Sequence, residues 1–144
     1  MFHCLYRCHM SLFEWREKYA VKIDRFDKAH KKLIDLINEI HDIIKLKKGS
    51  EALGGILSEL NNYTTTHFND EIYFMEKYNY PDIEEHKAEH EKFIFELNQI
   101  KEKYNQNANL LNLQLLYILK DWLVNHIMVT DMKYSEFFRE KEIT

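Results

Sequence analysis

Apolar residues recur every three or four positions along four stretches of the chain, and each stretch predicts an amphipathic helix. The first runs from about Asp24 to Lys48, where Ile23, Phe26, His30, Leu33, Ile37, Ile40 and Ile44 form one inward stripe. Lys45, Lys47 and Lys48 suit the negative end of this helix, and Gly49 is placed to close it. Ser50 can cap the second helix, whose stripe is Leu53, Leu57, Leu60, Thr64, His67, Glu71, Phe74 and Tyr78. Pro81 ends that element, and Asp82 with Glu85 reads as a capping box for the third. The third helix shows Ile83, His86, His90, Phe93, Leu97, Ile100 and Tyr104, and the polar run Asn105 to Asn109 reads as a loop. Leu116, Leu119, Leu123 and His126 mark the fourth, and a short last helix from about Lys133 to Glu140 returns Tyr134, Phe137 and Phe138 to the core. Ahead of all of these, Ser11 to Ile23 carries Leu12, Phe13, Trp15 and Tyr19 and predicts an aromatic arm over the end of the core. The expected fold is all-α: an up-down-up-down antiparallel four-helix bundle with an N-terminal arm and a short C-terminal helix.

Composition agrees with this picture and narrows it. The chain has 144 residues with a single proline and three glycines, so few breakers interrupt the helices. That length predicts one domain, residues 11–144, preceded by a flexible extension over residues 1–10. The extension lacks the apolar centre of a signal peptide. Its His3, Cys4, Cys8 and His9 have the chemistry of soft-metal ligands, but a frayed tail, or an upstream start with Met10 as the true first residue, is the simpler expectation. A net charge of −4 gives no reason to expect nucleic acid. No apolar run approaches the roughly 18 residues of a membrane span. Two cysteines, both in the first eight residues, make no disulfide framework, so a cytoplasmic location is expected.

The histidines change the picture most. His86 and His90 stand four apart in His86-Lys87-Ala88-Glu89-His90, one turn apart on one helix face. His67 and Glu71 repeat that spacing, while His30 and His126 lie on the stripes of two other helices. A single histidine on an apolar stripe is ordinarily a satisfied core residue. Five on inward stripes, with Glu71 on the same face, would each cost about 1–3 kcal/mol if buried without partners. A metal ion satisfies them, since neutral imidazole and carboxylate are its ligands. Asp131 fits least well: five residues after His126, it lies about 140° away on an ideal helix, so a bulge or loosening near Thr130 has to turn it inward. If two six-coordinate ions share Glu71, Asp131 and one solvent oxygen, five histidines divide unevenly. One ion is then full and the other keeps one open position, which suits a small molecule such as dioxygen.

The chain resembles the bacterial hemerythrins. The resemblance rests on Phe13-Glu14-Trp15, Ile23-Asp24 with His30-Lys31, His67-Phe68 with Glu71, Tyr80-Pro81, His86-Lys87 with His90, and Trp122-Leu123 with His126-Ile127 and Asp131. It spans about residues 11–138 and departs from the family at Ala29, where a glutamine is more usual. The resemblance implies a non-haem di-iron centre, two irons joined by an oxo or hydroxo bridge, that binds dioxygen reversibly. Its ligands would be His30, His67, Glu71, His86, His90, His126 and Asp131. Resemblance and ligand count together put His86, His90 and His126 on the closed iron and His30 and His67 on the open one. Leu123 and Trp122 are the expected walls of the oxygen pocket, with Phe68 and Ile127 as weaker candidates. Oxygen storage, delivery or sensing is the leading function. A di-iron oxidase or peroxidase is a second, and an oxygen- or redox-responsive signalling module with a separate protein partner is a third. Five histidines with two carboxylates argue against the enzyme, because the di-iron carboxylate class uses a glutamate from each of four helices.

Overall fold

A computed structural model describes residues 12–47, 50–103 and 108–141. The extension over residues 1–10, Gly49, Tyr104 and most of the predicted loop at 105–109 lie outside the described residues. Helix α1 is Asp24–Lys45, α2 is Ser50–Lys77, α3 is Ile83–Glu102 and α4 is Ala108–Asp121. The backbone of α4 continues without a break as a π-helix over Trp122–Thr130 and then as α5 over Asp131–Glu140. The first helix packs against α2 and α4, and α3 packs against the same two, as in an antiparallel bundle.

The stripes bury the residues that periodicity marks, with one-residue shifts near their ends. Ile43, Met75 and Leu115 are buried where Ile44, Phe74 and Leu116 were expected, and the expected residues are only partly covered. A 3.6-residue turn drifts off a repeating three-four step, so the inward position moves by one residue along a long helix. The caps also differ from expectation. Lys47, at φ 54, takes the left-handed position after α1 that Gly49 was expected to fill. Asp82 stands at the N-cap of α3 but makes no side-chain cap bond. Its φ of −98 and ψ of 25 lie outside the extended region from which a cap oxygen reaches the first turn. Helix α4 already begins at Ala108, inside the polar run read as a loop.

The end of α2 shows why the chain turns where it does. Asn79 adopts φ 56, the Tyr80 amide donates to the Met75 carbonyl at 2.9 Å, and the Asn79 amide donates to Glu76 at 3.3 Å. These are the paired bonds of a Schellman motif, with buried Tyr80 and Met75 as its apolar contact. The turn delivers the chain to α3 with His86 and His90 already facing inward.

The N-terminal arm carries a 3₁₀ turn, Glu17–Tyr19, and is tied at both ends. The Phe13 amide donates to Asn38 Oδ1 at 2.9 Å, and Asn38 Nδ2 donates back to the Phe13 carbonyl at 2.8 Å. Farther along, the Val21 amide donates to Asp27 Oδ1 at 2.8 Å, and Ser135 Oγ donates to the Val21 carbonyl at 2.8 Å. The arm therefore clamps the start of α1 to α5. No helix among the described residues is long and apolar enough to cross a membrane.

Candidate metal centre

All four bundle helices contribute to one buried cluster, midway between the apolar core and the aromatic end of the bundle. His30 comes from α1, His67 and Glu71 from α2, His86 and His90 from α3, and His126 from the π-helix, with Asp131 one residue beyond it. All seven residues are buried, none more than 4% exposed. Their donor atoms form two overlapping groups, Glu71 with His86, His90 and His126, and His30 and His67 with Glu71 and Asp131. Within each group the donors lie within 4.8 Å of one another.

The two carboxylates stand between the imidazoles. Glu71 Oε1 lies 3.0 Å from His67 Nε2 and 3.4 Å from His90 Nε2, and its Oε2 lies 3.6 Å from His86 Nε2. Asp131 Oδ2 lies 3.1 Å from His30 Nε2, while Oδ1 lies 2.9 Å from His126 Nε2 and 3.3 Å from His86 Nε2. None of these close approaches makes a hydrogen bond. The Nε2 atoms of all five histidines and both oxygens of each carboxylate are buried without a hydrogen-bond partner. Such atoms are costly unless something satisfies them together. Donors about 2.1 Å from one octahedral ion stand about 3 Å from each other, which is the spacing found here. Aiming Nε2 inward from every ring is likewise a ligand arrangement, and the residues present fit a pair of metal ions.

The awkward position of Asp131 has a structural cause. Trp122–Thr130 is π-helical, and the Asp131 amide donates to the His126 carbonyl five residues back. A five-residue repeat returns the chain to the same face, so Asp131 comes to lie beside His126 instead of far round the helix. The loosening expected near Thr130 extends over the whole nine-residue stretch.

Charge in the cluster is finely balanced when no cation is bound. Burial, and for Asp131 the charge of Glu71, push the two carboxyls up, but the imidazoles around them outweigh this and hold both below the ordinary range. Burial pulls His67 and His126 down, and the carboxylates more than reverse it, pushing His126 up to about 9. His90 goes the other way: burial dominates and lowers it.

An aromatic shell surrounds the imidazoles. Trp122 stacks on His126 with ring centres 3.6 Å apart, and Phe68 stacks on His90 at 3.8 Å. Leu123 is fully buried, as is Ile127. Sequence reading did not single out Tyr63, which stacks on His67 at 5.1 Å and whose hydroxyl accepts from Trp122 Nε1 at 3.4 Å. It also gave Tyr134 only a packing role. That ring lies 5.4 Å from His86, with its hydroxyl buried and unpartnered. Burial and then the charges of Asp131 and Glu71 raise Tyr134 well above an ordinary phenol, so it stays protonated. Both were discoverable by spacing: Tyr63 is one turn before His67, and Tyr134 is three residues after Asp131.

Comparison with known proteins gives a consistent result. The profile described as "Hemerythrin HHE cation binding domain" matches residues 21–138. The chain is similar to bacteriohemerythrin of Methylococcus capsulatus, at 32% identity over 88% of this chain and 96% of that protein. It is also similar to myohemerythrin of Theromyzon tessulatum, at 31% identity over 85% of this chain and 91% of that protein. Among solved structures, hemerythrin variants with one leucine replaced by tyrosine or by alanine superpose with a TM-score of 0.78. Each is 28% identical, covering 88% of this chain and 97% of the variant.

Proposed function

The chain belongs to the hemerythrin family, and from that premise we propose that it holds two iron ions and binds dioxygen reversibly, for storage, delivery or sensing. The observation that carries this reading is the set of buried, unpartnered Nε2 and carboxylate atoms drawn from four helices. When bound, the irons supply the electrons that dioxygen takes up and returns. Every other part of the task falls to the side chains. His86, His90 and His126 would hold one ion, and His30 and His67 the other. Glu71 and Asp131 would serve both, because their oxygens face imidazoles of both groups. All seven residues are buried, which would keep bulk water away from the ions.

We read the protein as a binding protein, not an enzyme. Five imidazoles against two carboxylates differ from the glutamate-rich set of di-iron carboxylate proteins. The absence of a membrane-length helix among the described residues and a pair of cysteines confined to the first eight residues support a cytoplasmic location. An absorption spectrum of purified protein, reduced under argon and then exposed to air, tests the reading. New visible bands that fade again on removing oxygen, with two irons per chain by elemental analysis, are expected. One zinc per chain and a featureless visible spectrum would overturn it.

Leu123 and Trp122 are the proposed pocket walls, since both are buried and Trp122 lies flat against His126. Their work is to keep water from the reacting position. Leu123→Ala should keep both irons yet turn ferric in air several times faster than the unchanged protein, at a stability cost of about 2–5 kcal/mol. Stopped-flow absorption of the reduced proteins mixed with air-saturated buffer measures this. Lys120→Ala, at an exposed position, is the control. Equal rates for Leu123→Ala and its parent would mean that another residue guards the site.

A further inference from the structure

Of the five cluster imidazoles, only that of His126 has a carboxylate at its outward nitrogen among the described residues. Glu89 Oε2 lies 3.3 Å from His126 Nδ1. Both atoms are buried and neither makes a hydrogen bond, so this oxygen and this ring nitrogen face each other with no other partner. The other oxygen of the same carboxylate accepts a hydrogen bond from Thr130 Oγ at 3.1 Å. Thr130 is the last residue of the π-helix and immediately precedes Asp131. One carboxylate on α3 therefore faces both the middle and the last residue of the π-helix, which carries His126 and leads into Asp131. Its side chain is 37% exposed, and with Lys92, Trp122, Asn125 and His126 it lines a surface pocket of about 270 Å³.

We infer that Glu89 is a positioning residue for the metal centre: it accepts from His126 Nδ1–H, so that Nε2 is the free ligand atom, and it ties Thr130 down so that Asp131 stays turned inward. Histidine ligands are oriented in this way when a carboxylate holds the ring's second nitrogen. The role differs from those of the seven cluster residues, because Glu89 touches no candidate ion position. It also explains why an acidic side chain is partly buried beside a tryptophan: the carboxylate faces Thr130 with one oxygen and His126 with the other.

The inference rests on the di-iron reading, and its test separates the two. Iron release from the loaded protein to an excess of bipyridine is timed after reduction, for the unchanged protein and four variants. Glu89→Ala should release iron about 10–100 times faster. Glu89→Gln should fall between the two, because one amide oxygen can accept from Thr130 or from His126 but not from both. Thr130→Val should change release less than Glu89→Ala, and Glu91→Ala, exposed on the same helix, should leave it unchanged. A second readout needs no metal: the His126 Nδ1 proton should give a slowly exchanging NMR resonance in the metal-free protein that is lost in Glu89→Ala. If Glu89→Ala does not fold, Glu89→Gln supplies both readouts. Release from the Glu89 variants at the unchanged rate, or a persisting Nδ1 proton resonance, would overturn the inference. An unchanged protein that takes up no iron at all would instead overturn the di-iron reading, while the proton resonance would still decide the role of Glu89.

Discussion

Glu71→Gln should leave the protein folded and nearly free of iron. The substitution keeps the volume of the side chain but removes its charge and turns one of its two acceptor oxygens into a donor. Both oxygens face cluster imidazoles, Oε1 towards His67 and His90 and Oε2 towards His86, so no rotation of the amide avoids the loss. Glu71 belongs to both donor groups, and its effect should exceed that of any one histidine. His90→Ala, in one group only, should empty the three-histidine position first and the other to a smaller extent. Elemental analysis of iron per chain, with circular dichroism to confirm the helices, measures both. A Glu71→Gln protein with its full complement of iron would show that the two groups do not share this carboxylate.

Removing the metal should lower the melting temperature by about 10 °C or more. A ligand present at 1,000 times its dissociation constant stabilises the folded state by about 4 kcal/mol, and a domain of this size shifts by about 3–4 °C for each kcal/mol. The gap should also depend on pH. In the metal-free protein His126 titrates at about 9, above its unfolded value, so its proton stabilises the fold fully below about 6.5. That contribution disappears as pH rises through about 9, leaving Asp131 and Glu71 facing each other with less positive charge between them. Both carboxyls are lowered, so their contribution is lost instead as pH falls into the acid range. A bound cation replaces the proton, and the loaded protein should not share the alkaline loss. Acid should release the ions, because each imidazole must be neutral to bind. Calorimetry of loaded and metal-free protein between pH 6 and 9 should therefore show the gap widening with pH. An equal melting temperature for the two forms would mean that the cluster is satisfied without metal.

Much of this arrangement was legible because buried polar groups are rare and periodic patterns are strict. His30, His67, His86, His90 and His126 declare themselves by interrupting apolar stripes at core positions, and all five are buried in one cluster. Asp131 was legible only as a contradiction. An ideal helix points it away, and nothing in Trp122–Thr130 announces a π-helix, because widening by one residue leaves no compositional mark. Cap residues were misplaced as well. Lys47, not a glycine, takes the left-handed position after α1, a conformation that its side chain does not favour. The shell was only partly visible. Phe68 enters only as a weaker pocket wall, while Tyr63 and Tyr134 pass for ordinary core aromatics until their spacing from His67 and Asp131 is weighed. Glu89 lies inside the His86–His90 motif, and nothing in that pattern marks it off from the glutamates around it.

The bond from Ser135 to the Val21 carbonyl joins the two ends of the described chain. Ser135 lies about one helical turn after Asp131 on α5. Tension drawn along the arm would therefore reach the helical turn that carries the second carboxylate, so a pull on the arm would be felt at the cluster.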